Sequence, residues 1–226
     1  MLFKSTDVKS GEKELWGMVF YRWSALPFVN LCVRSKIPPN MITTMTFAAA
    51  LLTFIFLLSR QFIAAAICWQ LVAILDVSDG MVARRINQSS DFGMWYDYFV
   101  DRINYFLFLL GIGLVVGGGN GLWFIFVALT LSYLTDISCL IGRLQAKRGS
   151  YQQDAQKVQK DAGQPSKNSL MGGILKNVVL VHVHLWAFFG IPLFWGESGL
   201  PVIMVYITGI LFLNVLYHIR EHFLAK

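Results

Sequence analysis

The sequence predicts an all-α, polytopic membrane protein, and three observations carry that expectation. Of 226 residues, 56% are hydrophobic and 15% aromatic while 14% are charged, too apolar a balance for an ordinary soluble domain of this length. From residue 40 onward, apolar runs recur near the roughly 20 residues that cross a bilayer core. Four carboxylates, Asp76, Asp79, Asp97 and Asp101, stand at the ends of two of these runs. An unpaired charge is expensive there, so these acids are expected to bind something.

Residues 1–36 form an N-terminal segment of mixed charge. Its apolar and aromatic run from Leu15 to Val33 is broken by Arg22 and Pro27. That run suits a helix lying in the membrane interface, or equally a loosely packed arm. No cleavable signal peptide is expected, because Lys4 is not followed by an uninterrupted apolar core. Residues 37–226 form the transmembrane domain, with six spans expected at about 40–58, 62–84, 93–116, 121–143, 174–195 and 200–221. The breaks are chemically legible: Ser59-Arg60-Gln61, a polar turn over 85–92, the glycine-rich run 117–121, and Gly196-Glu197-Ser198-Gly199. Only the Gln- and Lys-rich stretch within 148–173 has the composition of a long polar loop.

Charge sets the expected orientation. With the N-terminus in the cytoplasm, the opposite side receives Arg60 alone among nineteen Lys and Arg residues, a large positive-inside bias. Both termini and the loop at 148–173 are then cytoplasmic, and the four acids lie at the cytoplasmic ends of the second and third spans. The net charge of +6 fits this topology and anionic lipid headgroups, and no nucleic-acid recognition module is present. Cys32, Cys68 and Cys139 are scattered through apolar surroundings with no disulfide or metal-ligand spacing, and read as packing residues.

The stretch from Asp76 to Asp101 reads D-V-S-D-G-M-V-A-R-R-I-N-Q-S-S-D-F-G-M-W-Y-D-Y-F-V-D. On a helix, Asp76 and Asp79 are three residues apart with Gly80 and Ala83 on the same side. Asp97 and Asp101 are four apart, with Gly93 one turn earlier. A short turn around Asn87 to Ser90 makes the two helices antiparallel and brings the four acids together. Converging carboxylate oxygens suit a pair of hard divalent cations, Mg²⁺ or Mn²⁺, placed where phosphate oxygens complete the coordination.

The spacing D-x2-D-G-x2-A-R-x8-G-x3-D-x3-D resembles the signature of the CDP-alcohol phosphotransferase family. Asp76, Asp79, Gly80, Ala83, Arg84, Gly93, Asp97 and Asp101 match every position. Pro38-Pro39-Asn40-Met41-Ile42-Thr43 is also similar to the entry to the first span in many members. The resemblance implies a metal-dependent phosphatidyltransferase whose catalytic domain is the transmembrane one. Asp76, Asp79 and Asp97 are then metal ligands, and Asp101 shares a cation and serves as general base. Gly80, Ala83 and Gly93 keep a narrow slot where the two helices face each other, into which cytosine and ribose fit.

Beside that slot, Arg84 offers a fork of donors to phosphate or cytosine, or anchors the helix at the membrane surface as Arg85 does. Ser90 donates to the nucleotide phosphate or caps its helix. Asn40 and Thr43 share a face and contact cytidine, or Asn40 is a cap.

The favoured reaction moves a phosphatidyl group from CDP-diacylglycerol to a polar alcohol and releases CMP, as in the compact bacterial-type phosphatidyltransferases the chain resembles. The alternatives are headgroup transfer from CDP-choline or CDP-ethanolamine to diacylglycerol and, in another class, a cation-binding membrane transporter. For the acceptor, Asp136, Arg143 and Lys147 share one helical face, with Lys176 and Arg220 near the ends of the last two spans. That basic pocket suits glycerol phosphate or inositol phosphate; solvated interface charge explains it equally. His182 and His184 point opposite ways on a helix and cannot form one metal site. A homodimer is implied by the resemblance alone.

Overall fold

The computed structural model describes residues 16–134, 136–137 and 190–219, all of them in helices or the turns between helices. In chain order these are α1 (Trp16–Arg34), α2 (Pro39–Leu58), α3 (Phe62–Arg85), α4 (Asp91–Val116), α5 (Gly118–Leu134), a 3₁₀ segment (Ile191–Ser198) and α6 (Gly199–Ile219). Among the described residues, four stretches are long and apolar enough to cross a membrane: Pro39–Leu58, Phe62–Arg85, Asp91–Val116 and Ile191–Leu216. The first three coincide with expected spans. The expected span over 121–143 is described only as far as residue 137, where it contains most of α5, and most of the one over 174–195 lies outside the described residues.

Helix ends follow from local chemistry. Pro38 is extended and Pro39 opens α2, where a missing N–H costs nothing. The first three helices close in the same way: the residue after the last turn takes a positive φ, at Lys36 (54°), Arg60 (56°) and Asn87 (53°). The next amide then reaches back five positions, from Ile37 to Cys32, Gln61 to Phe56 and Gln88 to Ala83. This pattern satisfies the last orphan carbonyls.

The glycine-rich run does not form the loop expected over 117–121. Gly117 (φ 68°) and Gly118 (φ 55°) make the reversal, and α5 starts at once. Gly121 is then used for close approach, since a Cβ there would lie 2.0 Å from the Gly113 carbonyl oxygen. At the other break, the kink is at Gly196 (φ 65°), and a Cβ on Gly199 would strike the Pro192 carbonyl at 1.8 Å.

Residues through Ile125 and from Gly190 to Tyr206 form one compact unit; Phe126 through residue 137 and Ile207 to Ile219 belong to a second. In the first unit α2 packs against both α3 and α4, whereas α3 and α4 meet through side chains and not along their backbones. Trp69 and Phe108 are buried and stack across that gap with centroids 4.0 Å apart.

The loosely packed arm is not what forms at the N-terminal side. The α1 residues Tyr21, Ala25, Leu26, Val29 and Cys32 are buried at helical spacing, the last four in a cluster with Ile42, Met81 and Val82. Tyr21 donates to Gln70 and Arg85 to Asn30, each at 2.6 Å, so α1 is tied to α3 at two levels. Cys32 packs in this core and Cys68 is half-buried, both as free thiols, while Cys139 lies outside the described residues.

Candidate functional site

The acids are placed by the turn between α3 and α4. Helix α3 ends at Arg85 and Asn87 closes it; Ser90 is extended, and its hydroxyl accepts the Gly93 N–H at 3.0 Å to cap α4. Residues 86–90 therefore return the chain sharply, and the two helices run antiparallel. Asp76, near the end of α3, then meets Asp97 and Asp101, near the start of α4. One carboxylate oxygen from each lies within 4.8 Å of the others, and all three residues are half-buried.

Asp79 stands outside that set of three. It is 5% exposed and accepts a 2.6 Å hydrogen bond from the hydroxyl of Thr43, itself 4% exposed, on α2. Thr43 thus has a role that its expected contact with cytidine did not include: it holds the fourth acid. This follows from the packing of α2 between α3 and α4.

The bare patches are also disposed differently from the expected slot, because α3 and α4 do not pack glycine against glycine. The guanidinium of Arg84 folds back over Gly80, with Nη1 3.1 Å from where a Cβ would stand. Gly93 faces the Ser90 hydroxyl, 3.0 Å from the missing Cβ, and the Asn40 side-chain oxygen at 3.3 Å. Asn40 follows Pro39 inside α2 and caps nothing: the cap residue is Pro38, with no side-chain cap hydrogen bond. Ala83 is half-buried on the same helix as Gly80. Beyond Asn40, the hydroxyls of Thr44 and Tyr96 lie 2.9 Å apart, at the edge of an open groove of about 520 Å³ lined by Met41, Met45, Ala48 and Phe92.

The donor set can be tested for fit to a cation. It consists of carboxylate oxygens without nitrogen or sulfur, which suits Mg²⁺ or Mn²⁺. Two carboxylates 4.8 Å apart repel by about 3.5 kcal/mol at an effective dielectric of roughly 20. A triad held this close is relieved by a compensating positive charge, and a divalent ion bound there would supply it.

Of the acceptor residues, Asp136 lies in the second unit and is half-buried. Arg143, Lys147, Lys176, His182, His184 and Arg220 lie outside the described residues. One residue near the acids escaped sequence reasoning. Asn104 follows Asp97 by seven positions and Asp101 by three, so it shares their face of α4. It is 3% exposed, and neither its Nδ2 nor its Oδ1 has a hydrogen-bond partner. A buried amide left in this state costs about 1–3 kcal/mol. The signal was available as an isolated amide, at helical spacing from two acids, inside an apolar run.

Fold and site together define a class: a polytopic helical protein that gathers carboxylates, an arginine and small residues at one end of adjacent apolar helices, an arrangement suited to a cation and a phosphate-bearing ligand. The chain belongs to the CDP-alcohol phosphatidyltransferase family, whose model matches residues 36–211 and so encloses every signature position. It is also similar to an uncharacterized protein of Aquifex aeolicus (strain VF5), 31% identical over 117 residues. That match covers 50% of this chain and 60% of the relative, so less than two thirds of the relative's length is spanned.

Proposed function

We propose that this protein transfers a phosphatidyl group from CDP-diacylglycerol to the hydroxyl of a polar alcohol, releasing CMP at a site that faces the cytoplasm. The observation that carries the reading is the convergence of Asp76, Asp97 and Asp101 within 4.8 Å, in a chain of the CDP-alcohol phosphatidyltransferase family. Asp76, Asp79 and Asp97, with Asp101 sharing, would hold two Mg²⁺ or Mn²⁺ ions, and bound there the ions supply Lewis-acid neutralisation of the pyrophosphate.

The chain's own residues do the rest. Thr43 fixes the Asp79 carboxylate by its hydrogen bond. Arg84 carries a planar fork suited to phosphate oxygens, and swinging off Gly80 would let it reach them. Asn40, Ser90 and the bare backbone at Gly80 and Gly93, with Ala83, line the place for cytidine. Asp101, deepest of the acids on α4, accepts the proton of the incoming hydroxyl at its carboxylate. The hydroxyl oxygen then attacks the lipid-side phosphorus and the bond to CMP breaks. Arg143 and Lys147 are the residues for a phosphate carried by the acceptor, such as glycerol phosphate or inositol phosphate, and Asp136, on the same helical face, is one for its hydroxyls.

The test supplies labelled CDP-diacylglycerol to purified protein with glycerol phosphate, inositol phosphate, inositol or serine in turn. Release of CMP with one acceptor supports the reading. Turnover only of CDP-choline or CDP-ethanolamine with diacylglycerol moves the protein to the headgroup-transfer branch. Cation flux in sealed vesicles without any CMP release makes it a transporter.

A further inference from the structure

The amide of Asn104 is buried beside a site proposed to handle a hydroxyl, and it is unpartnered at both its donor and its acceptor atom. Its surroundings narrow what the partner is. The Asp76 and Asp101 carboxylates and the Trp69 and Phe108 rings set the register of α3 against α4, each pair seven residues along from the other. Asn104, three residues past Asp101, then lies level with Ala73, three residues before Asp76. Val72 and Ala73 offer no side-chain polar group at that level, and one turn deeper the stacked rings close the way. On α2, which also packs against α4, the buried Thr46 and Thr53 hydroxyls are given to carbonyls of their own helix. A partner is therefore sought on the acid side, where Asp101 sits one helical turn away, about 5–6 Å between Cβ atoms.

Resting on the transferase reading above, we propose that the acceptor hydroxyl binds between the Asp101 carboxylate and the Asn104 amide. A hydroxyl both donates and accepts, and so does an amide, whereas an ionised carboxylate only accepts. The hydroxyl gives its hydrogen to Asp101, and the Asn104 N–H donates to its oxygen. As the O–H bond breaks and the proton passes to Asp101, negative charge grows on that oxygen before the bond to phosphorus forms. An amide donor already aimed there strengthens with the charge. Asn104 is thus a residue of the acceptor site and of the transition state, and it plays no part in holding cytidine.

The experiment uses full-length protein in detergent with CDP-diacylglycerol and the acceptor that the unmutated protein turns over, alongside Asn104→Leu and Asn104→Ser. Leucine matches the size of asparagine and makes no hydrogen bond; serine keeps a hydroxyl donor. The expected result is a 10- to 100-fold loss of kcat/KM for the acceptor in Asn104→Leu, of the order set by one donor to a developing charge. Affinity for CDP stays unchanged, thermal stability is no lower than that of the unmutated protein, and Asn104→Ser recovers part of the loss.

Unchanged acceptor kinetics in a folded Asn104→Leu protein overturn the assignment while leaving the transferase reading standing. Equal losses of CDP affinity and acceptor use also overturn it, by making Asn104 a support of the acid cluster. If Asn104→Leu does not fold, Asn104→Ser decides, since a folded serine variant with unaltered acceptor kinetics overturns the assignment too. An unmutated protein that releases no CMP with any acceptor overturns both.

Discussion

Replacing Thr43 by valine keeps the shape of the side chain and deletes one hydroxyl, and the structure sets the size of the effect. Thr43 and Asp79 are 4% and 5% exposed, so water cannot replace the 2.6 Å bond between them. A hydrogen bond to a charged group in such a place is worth about 1.5–3 kcal/mol, because its loss leaves a buried carboxylate oxygen unsatisfied. At roughly 2–4 °C per kcal/mol for a chain of this size, the unfolding temperature should fall by about 3–12 °C. The same helix supplies the controls. Thr46 and Thr53 are each 1% exposed, but their hydroxyls donate only to carbonyls four residues back, Ile42 at 3.0 Å and Ala49 at 2.9 Å. Valine there loses only a bond to a carbonyl the helix already satisfies, and stability should change by no more than about 0.5 kcal/mol. Thermal unfolding of the three variants in detergent with excess chelator makes the comparison. If Thr43→Val unfolds with Thr46→Val and Thr53→Val, the inter-helix bond to Asp79 is not holding the site.

Asp97→Ala should abolish binding of Mn²⁺, followed by calorimetry on the purified protein, and with it turnover, while the helical circular dichroism spectrum is retained; undiminished Mn²⁺ affinity would remove the cation assignment. Asp101→Asn should still bind CDP yet lose transfer, since an amide fills the position but accepts no proton; parallel loss of both would make Asp101 chiefly a ligand. Gly121→Ala should be destabilised by more than about 3 kcal/mol or fail to fold, because its Cβ would sit 2.0 Å from a backbone oxygen that cannot yield. Gly119→Ala, two residues away in the same helix with nothing within 4 Å of its Cβ, should instead gain up to about 1 kcal/mol, as read by thermal unfolding.

What the sequence determined by itself is the local part of the answer. Apolar runs of membrane-crossing length and the turn residues between them marked α2, α3 and α4 to within two residues at either end. Helical periodicity placed Asp76 with Asp79 and Asp97 with Asp101, and a turn as short as residues 86–90 leaves the following helix no course but back along the first. The convergence of Asp76, Asp97 and Asp101 is therefore legible in the sequence alone.

Only the tertiary structure decided what lies between elements. Helix α2 packs against both α3 and α4, so Thr43 meets Asp79, thirty-six positions along the chain, and Asn40 meets Gly93. The N-terminal run is a helix tied to α3 by bonds that reach across 49 and 55 positions. The glycines after α4 serve a close backbone approach at Gly113 and Gly121 as much as a turn. Asn104 looked like one amide in an apolar run until its burial and lack of partners were visible. Helical periodicity and turn chemistry act over a few residues. They say which side chains share a face, whereas the partner that face receives is settled by packing among segments that the chain's local pattern does not link.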